Sequence, residues 1–358
     1  MRLNEEKIMV KKFGQKPNFF NKQKRRQEMK KKVLKVLSVV ITLFLAAGSL
    51  AGCTSKGAEK SGDGKKKVTI AYAGGTCEAP VFVAYHKGFF EEEGLEVELV
   101  QAGFDELKQG LATGKIDAAM ANIAWFKPIE QGMNLRLTAG IHTGCIKAVV
   151  PGDSDINSFA DLKGKTVGVD AIGGGPQIAL SAKLREEGVD PNTEVTWVAY
   201  SGNLLDEAIK KGEIQAYMTW DPFPTKAHDD EGYRYLLDIG ADDPFKDKYC
   251  CFVGVSSNLI DKDPETAGKI TKALMKSSKW VQENPVEAAQ ISLDNNYVGG
   301  DVDLNSQLLS EYNWTPSVEG AKENIKWYIS ELKDQGILES TTEEEKLFEA
   351  TFADVINE

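Results

Sequence analysis

The chain has 358 residues, 42% of them hydrophobic and 27% charged, with a net charge of −11 at pH 7. Residues 1–52 hold 13 of the 43 lysines and arginines but 3 of the 54 acids, so the remaining 306 residues carry 30 basic against 51 acidic side chains, a net of −21. A surface of that sign repels nucleic acid and anionic lipid, and excludes functions that depend on binding either.

In chain order, the first element is a targeting signal. Val36 to Ala47 is apolar apart from Ser38 and Thr42, and Lys30, Lys31, Lys32 and Lys35 stand just before it. The run is too short to anchor across a bilayer but suits the apolar region of a signal peptide. It closes on Leu50-Ala51-Gly52-Cys53, the pattern of a lipobox. Cleavage in that pattern falls before the cysteine, which makes Cys53 the lipidated first residue. Met29 opens a compact signal of normal layout, so translation is expected to start there rather than at Met1. Residues 1–52 are therefore expected to be removed. Cys53 and the polar stretch to Lys67 would tether the protein to the extracytoplasmic face of the cell membrane. The length that follows exceeds what one core usually serves, so two lobes are expected.

The chain then repeats itself. Val68 to Tyr72 reads as a strand, followed by a Gly-rich loop and by Pro80 opening a helix. Glu93-Gly94 ends that stretch, and Leu95, Val97 and Leu99 alternate with Glu96 and Glu98 as a second strand. A helix with Leu107 and Leu111 on one face leads to Gly114-Lys115-Ile116-Asp117-Ala118-Ala119-Met120-Ala121-Asn122. The same layout returns from Thr166 to Asp170, through a Gly-rich loop, Pro176, Glu187-Gly188 and a strand at Val195 to Ala199. It ends on Gly212-Glu213-Ile214-Gln215-Ala216-Tyr217-Met218-Thr219-Trp220. The fold class is therefore α/β: two similar lobes with mostly parallel sheets flanked by helices, a hinge and an interlobe cleft.

Ligands of open α/β sheets bind beyond the carboxyl ends of the strands. The loops Gly74-Gly75-Thr76-Cys77-Glu78 and Ile172-Gly173-Gly174-Gly175 then fall on opposite walls of the cleft. Each precedes a proline suited to the first turn of a helix, so each offers free backbone N–H groups. Each is equally well read as a tight strand-to-helix turn. Asn122 with Trp125, and Trp220 with Asp221, end the repeat strands and should reach the same cleft.

Three stretches carry a resemblance to a known family. They are Ala79-Pro80-Val81-Phe82-Val83-Ala84-Tyr85-His86-Lys87-Gly88-Phe89-Phe90-Glu91-Glu92-Glu93-Gly94-Leu95, Asp161-Leu162-Lys163-Gly164-Lys165-Thr166-Val167-Gly168-Val169, and Trp220-Asp221-Pro222. Together they resemble the solute-binding proteins of ABC importers for nitrate, sulfonate, taurine and thiamine precursors. The resemblance runs from Val68 onward and implies a two-lobed, hinge-bending fold of the type II periplasmic-binding kind. It implies a small-molecule solute as ligand, a permease and an ATPase as partners, and a monomer. It places residues 68–146 and 254–358 in the first lobe and 147–253 in the second. C-terminal helices are expected over Pro264 to Glu283, Pro285 to Asn295, Val318 to Gln335 and Thr342 to Val355. No cofactor is expected. Only His86, His142 and His228 are present and no Gly-x-Ser-x-Gly or His-Glu-x-x-His pattern occurs, so binding rather than catalysis is the reading.

Beyond Cys53, the cysteines are Cys77 in the first cleft loop, Cys145 after His142, and the adjacent Cys250 and Cys251. All four should converge near cleft and hinge. Disulfides, buried free thiols and a soft-metal or thiol-reactive site using Cys77, His142, Cys145 and one of Cys250 and Cys251 all remain open. Neighbouring residues of a strand face opposite ways, so Cys250 and Cys251 should not bond to each other. Tyr249-Cys250-Cys251-Phe252 also resembles, as a short echo, the cysteine-rich run of the fungal enzymes that make a thiamine pyrimidine. A metal-binding protein or enzyme on the same lobes is thus the alternative, and a ligand-sensing lipoprotein a third.

The expected ligand contacts are Gly75, Thr76, Cys77, Glu78, Asn122 and Trp125, then Gly174, Gly175, Gln177, Trp220 and Asp221, with His142 and Cys145 as a floor. A nitrate or sulfonate site should also supply cations. The cleft segments hold Glu78 and Asp221 but no arginine, with Lys127 and Lys147 as the nearby lysines. If Glu78 faces the ligand, a neutral polar or cationic solute is favoured.

Overall fold

The computed structural model describes residues 64–357. The expected signal, the lipid-bearing Cys53 and most of the expected tether lie outside the described residues. Lys66 and Lys67, expected in the tether, pair with Leu95 and Glu96 in a sheet. No helix among the described residues is long and apolar enough to cross a membrane.

Eleven strands are present among these residues. In chain order they are β1 (Lys66–Tyr72), β2 (Leu95–Gln101), β3 (Ala118–Ala121), β4 (Arg136–Thr143), β5 (Ile146–Val150), β6 (Thr166–Val169), β7 (Thr196–Ala199), β8 (Ala216–Trp220), β9 (Arg234–Asp238), β10 (Tyr249–Val255) and β11 (Asn313–Ser317). They form two sheets, ordered β11-β4-β10-β3-β1-β2 and β7-β6-β8-β5-β9. Apart from the edge strand β11, both follow one plan. The three repeat strands lie side by side and run parallel, and a crossing strand pairs antiparallel with the third of them. The crossing strand is β10 in the first sheet and β5 in the second, each the first strand after the chain passes over from the other sheet.

Both sheets are therefore mixed rather than mostly parallel. Strands β4 and β10 of the first sheet, and β5 and β9 of the second, add antiparallel pairs to the parallel repeat strands. Between the sheets, β4 passes to β5 through Gly144 and Cys145 alone. Gly144 has φ +66°, and a Cβ there would stand 2.7 Å from the Cα of Gly240, so the crossing requires glycine. The expected lobe division also moves. The whole of Tyr249–Val255 pairs with β3 and β4 of the first sheet, so a cut at 253/254 would pass through a strand. Every residue of β10 is buried, which fits a central strand covered on both faces.

The C-terminal helices cover the first sheet. They are Pro264–Glu283, Pro285–Asp294, Val318–Asp334 and Glu344–Thr351, each within a few residues of the sequence reading except the last. Helix Val302–Glu311 and β11 were not anticipated. Helix Ala79–His86 is buried along most of its length against Pro264–Glu283, and Ser277 Oγ donates to the Pro80 carbonyl at 2.7 Å.

Where the sheets meet, a buried ion pair links two strands of the second. Lys147 Nζ on β5 donates to Asp221 Oδ2 at 2.5 Å, just past the end of β8. Thr225 Oγ1 donates to the other carboxylate oxygen at 2.6 Å, and the Tyr312 hydroxyl, leading into β11 of the first sheet, donates to Oδ2 at 3.0 Å. Burial pulls the Lys147 ammonium down, but Asp221 more than restores it, so the lysine stays charged. Removing one partner strands a buried charge. Asp221→Ala is expected to cost about 3–5 kcal/mol of stability, read as a lower urea midpoint. A midpoint within error of the parent would show that the pair holds nothing together.

Candidate functional site

A cavity of about 560 Å³ opens between the carboxyl ends of the two parallel strand sets. On the first wall, β1 ends at Tyr72 and turns through Ala73–Gly75 into a short helical turn at Thr76–Glu78. Glu78 is buried, and its carboxylate accepts the amide N–H groups of Ala73 at 2.9 Å, Gly74 at 2.6 Å and Gly75 at 3.0 Å. A glutamate reaching back to the start of its own helix satisfies donors that the turn would otherwise leave free. The N–H groups expected to await a ligand are thus already occupied by an internal anion. Burial outweighs these three bonds and pushes the Glu78 carboxyl up to about 7.

The opposite wall follows β6. Asp170 comes directly after the strand, and helix Gly175–Glu186 begins beyond the glycines. The indole N–H of Trp220 donates to Asp170 Oδ2 at 3.0 Å. Asp170 Oδ1 is buried and has no partner, as is Thr219 Oγ1 beside it on the cavity wall. Burial pushes the Asp170 carboxyl up to about 6, against the Trp220 indole and the backbone amides of Asp170 and Ala171, which favour the charged form. The walls touch where a Cβ on Gly175 would lie 3.1 Å from Asn122 Oδ1 and 3.1 Å from the Trp220 ring. Glycine is needed there for the two lobes to approach.

Aromatic faces fill much of the remaining lining. Phe104 meets Trp125 edge-on at 5.0 Å. Tyr297 is stacked on Phe82 at 4.4 Å and set edge-on against Tyr72 at 5.3 Å, which fixes it as part of the wall. Among the described residues, no lysine, arginine or histidine lines this cavity.

Of the residues singled out from sequence, Gly75, Cys77, Glu78, Asn122, Trp125, Gly174, Gly175 and Trp220 line the cavity. Thr76, Gln177, Asp221, His142 and Cys145 do not. Thr76 Oγ1 donates to Asn305 Oδ1 at 2.6 Å, and Gln177 Oε1 accepts from the Gly173 amide at 2.6 Å. Asp221 is fully buried in the ion pair with Lys147, which removes the acid expected at the ligand and the nearest lysine together. Lys127 is likewise committed, to Glu130 and Glu339. Sequence reasoning missed Asp170, Asn203 and the Asn296–Gly299 loop. Asp170 ends a repeat strand and was within reach of the strand-end rule. The Asn296 loop lies outside the repeat and carried no signal.

The cysteines converge beneath the cavity. Cys145 and Cys250 form a disulfide, while Cys77 and Cys251 are free and buried. Adjacent Cys250 and Cys251 are not bonded to each other, but their side chains do not alternate as expected, because the register of β10 against β4 is shifted on both sides of Cys251. Cys251 Sγ lies 3.9 Å from Cys145 Sγ and 3.9 Å from Cys250 Sγ. The Cys77 thiol beside it draws Cys251 down, and Cys77 is pushed up in return. His142 is fully buried under the same cluster, stacked on Tyr312 at 5.2 Å.

Comparison with known proteins gives this architecture a family. The chain is 21% identical over 295 residues to the nitrate/nitrite binding protein NrtA of Nostoc sp., covering 69% of this chain and 66% of that one. It is 24% identical over 240 residues to a 4-amino-5-hydroxymethyl-2-methylpyrimidine phosphate synthase of Saccharomyces cerevisiae, covering 60% of this chain and 66% of that one. The chain thus spans just under two thirds of the length of both relatives. Its fold is similar to that of the periplasmic nitrate-binding protein NrtA from Synechocystis PCC 6803, with a TM-score of 0.70 at 16% identity, covering 80% of this chain and 86% of that one. Residues 61–293 match the NMT1-like family, and the chain belongs to it.

Proposed function

We propose that this chain is the solute-binding component of an ABC importer, and that its solute is a flat, nitrogen-containing molecule bearing N–H donors, neutral or cationic, rather than an inorganic anion or a sulfonate. The observation that carries the solute class is Asp170. Its Oδ1 is a buried acceptor without a partner, on a cavity wall that presents no cationic side chain among the described residues. A buried acceptor left unmet costs about 1–3 kcal/mol, so the site is built for a molecule that donates to it. Trp220, Phe104 and Tyr297 are only partly buried and offer faces against which a heterocycle stacks. A cavity of about 560 Å³ is of small-molecule size.

The binding-protein relative supports a solute-binding role without fixing the solute, and the other relative named above is a synthase. One is named for nitrate and nitrite, the other for a pyrimidine phosphate. An anion site would use the free N–H groups of the first loop and a nearby cation. Here Glu78 takes those N–H groups and Asp221 takes Lys147. The pyrimidine-type chemistry fits the remaining groups better. The lipobox at Cys53 supports a lipid-tethered protein on the extracytoplasmic face, working as a monomer with a permease and an ATPase. The cleft would capture its solute without chemical change.

Two outcomes are expected. Aminopyrimidines and related nitrogen heterocycles should raise the melting temperature, whereas nitrate, bicarbonate and alkanesulfonates should leave it unmoved; stabilisation by the anions alone would reverse the assignment. The raised carboxyls also predict a pH dependence. Asp170 ionises near 6 and Glu78 near 7. Each becomes a stronger acceptor as pH rises through its value. For a heterocycle whose own charge is fixed, affinity measured by calorimetry should climb from pH 5 to 8. Asp170→Asn should weaken binding by about ten- to a hundredfold at pH 8 and flatten that climb. A pH-independent affinity in the parent protein would count against Asp170 as the recognising group.

A further inference from the structure

Beneath the solute cavity, three side chains from three separate segments point their donor atoms at one another. We propose that Cys77, His142 and Cys251 form a binding site for a zinc-like divalent cation at the floor of the cleft, leaving one coordination position open toward the cavity. The inference goes beyond solute capture, since the ion site stands on its own donors.

The geometry is set by strand pairing. His142 on β4 pairs directly with Cys251 on β10, and Trp314 on β11 pairs with His142 from the other side. Cys77 reaches the same point from the turn after β1. Donor atoms of Cys77, His142, Cys145 and Cys251 all lie within 4.8 Å of one another. Cys145 is bonded to Cys250, which leaves two thiols and one imidazole. Zn–S and Zn–N bonds of about 2.3 and 2.0 Å set ligand atoms roughly 3.5 Å apart, so closing on an ion takes on the order of 1 Å of side-chain movement.

The second observation is the imidazole itself. His142 Nδ1 lies 3.3 Å from the Thr143 carbonyl, an arrangement in which Nδ1 carries the proton and Nε2 keeps its lone pair. That Nε2 is fully buried and has no hydrogen-bond partner. Tyr312 and Trp314 hold the ring in place at centroid distances of 5.2 and 4.7 Å. A metal-bound histidine is oriented in this way, by a hydrogen bond from its other nitrogen to a carbonyl. Two thiolates and a neutral imidazole are a donor set that zinc accepts, and with three protein ligands the fourth position goes to water or to a donor atom of a bound molecule. Cys77 and Cys251 both line the solute cavity, so the open position lies on its side. The carboxylates of Glu78 and Asp221 act on Cys77 and add to the attraction for a cation. Binding displaces the thiol protons to solvent, with no change in oxidation state.

The test uses the purified protein with the Cys145–Cys250 disulfide intact, stripped with a chelator and titrated with Co(II) or Zn(II) alone, no solute present. One ion per chain by native mass spectrometry is expected, with the thiolate-to-cobalt absorption of a tetrahedral site. Cys251→Ser and His142→Gln should each weaken binding at least tenfold, and Cys77→Ser with Cys251→Ser should abolish the absorption. Near-unchanged circular dichroism and melting of the serine variants keep that loss distinct from unfolding. A parent protein that titrates two free thiols yet retains no ion would overturn the proposal. So would an ion retained undiminished by the double serine variant, or a second disulfide joining Cys77 to Cys251 in its place. Heterocycle binding by the metal-free protein is measured separately, so the solute reading can fail without the ion site failing, and the reverse.

Discussion

The buried pair of Lys147 and Asp221 governs both the shape of this molecule and what its cleft can hold. Lys147 sits four residues past the point where the chain leaves the first sheet, and Asp221 closes the third repeat strand of the second. With the hydroxyls of Thr225 and Tyr312 they form a saturated network. Tyr312 leads into the first sheet, so the network ties the lobes at their junction. Each charge is tolerated in the interior only because the other is there. The same bond withdraws the lysine nearest the cleft from any ligand. A structural requirement of the hinge region thereby sets the sign of the binding site.

Glu78 acts in the same direction on the other wall. The strand–glycine–helix turn is a ready anion site in outline. A carboxylate one turn into the helix fills it from within, so the loop keeps its conformation but loses its free donors. Specificity within one fold can therefore change through a residue that occupies the loop amides from within. What remains open to a ligand is Asp170 Oδ1, Thr219 Oγ1 and aromatic surface.

Much of this was legible in the amino-acid sequence, and the limits have physical causes. The duplicated order of strand, glycines, proline and Glu-Gly placed Gly75, Glu78, Gly174, Gly175 and Trp220 at the cleft because those signals are local. Asp221 looked like a ligand residue because an acid at a strand end beside a cleft usually faces it. Its partner is 74 residues away, and only the antiparallel register of β5 and β8 brings them together. The convergence of the cysteines followed from their places at loop and hinge. Which sulfur bonds to which did not, because it depends on the register shift in β10 that brings the sulfurs of Cys250 and Cys251 to one place. Tyr297 and its loop belong to the C-terminal part, outside the repeat, where neither periodicity nor symmetry marked them. The mixed sheets were missed because their antiparallel strands, β4, β5, β9 and β10, lie outside the repeat and pair with partners distant in sequence.

The central claim is that an unmet carboxylate in a cavity without cations selects the solute. Native mass spectrometry of the protein as purified, followed by denaturing release and identification of whatever it carries, tests this most directly. A nitrogenous organic molecule, retained by the parent and lost from Asp170→Asn, is the expected result. Retention of nitrate, bicarbonate or a sulfonate, equally in parent and variant, would contradict it.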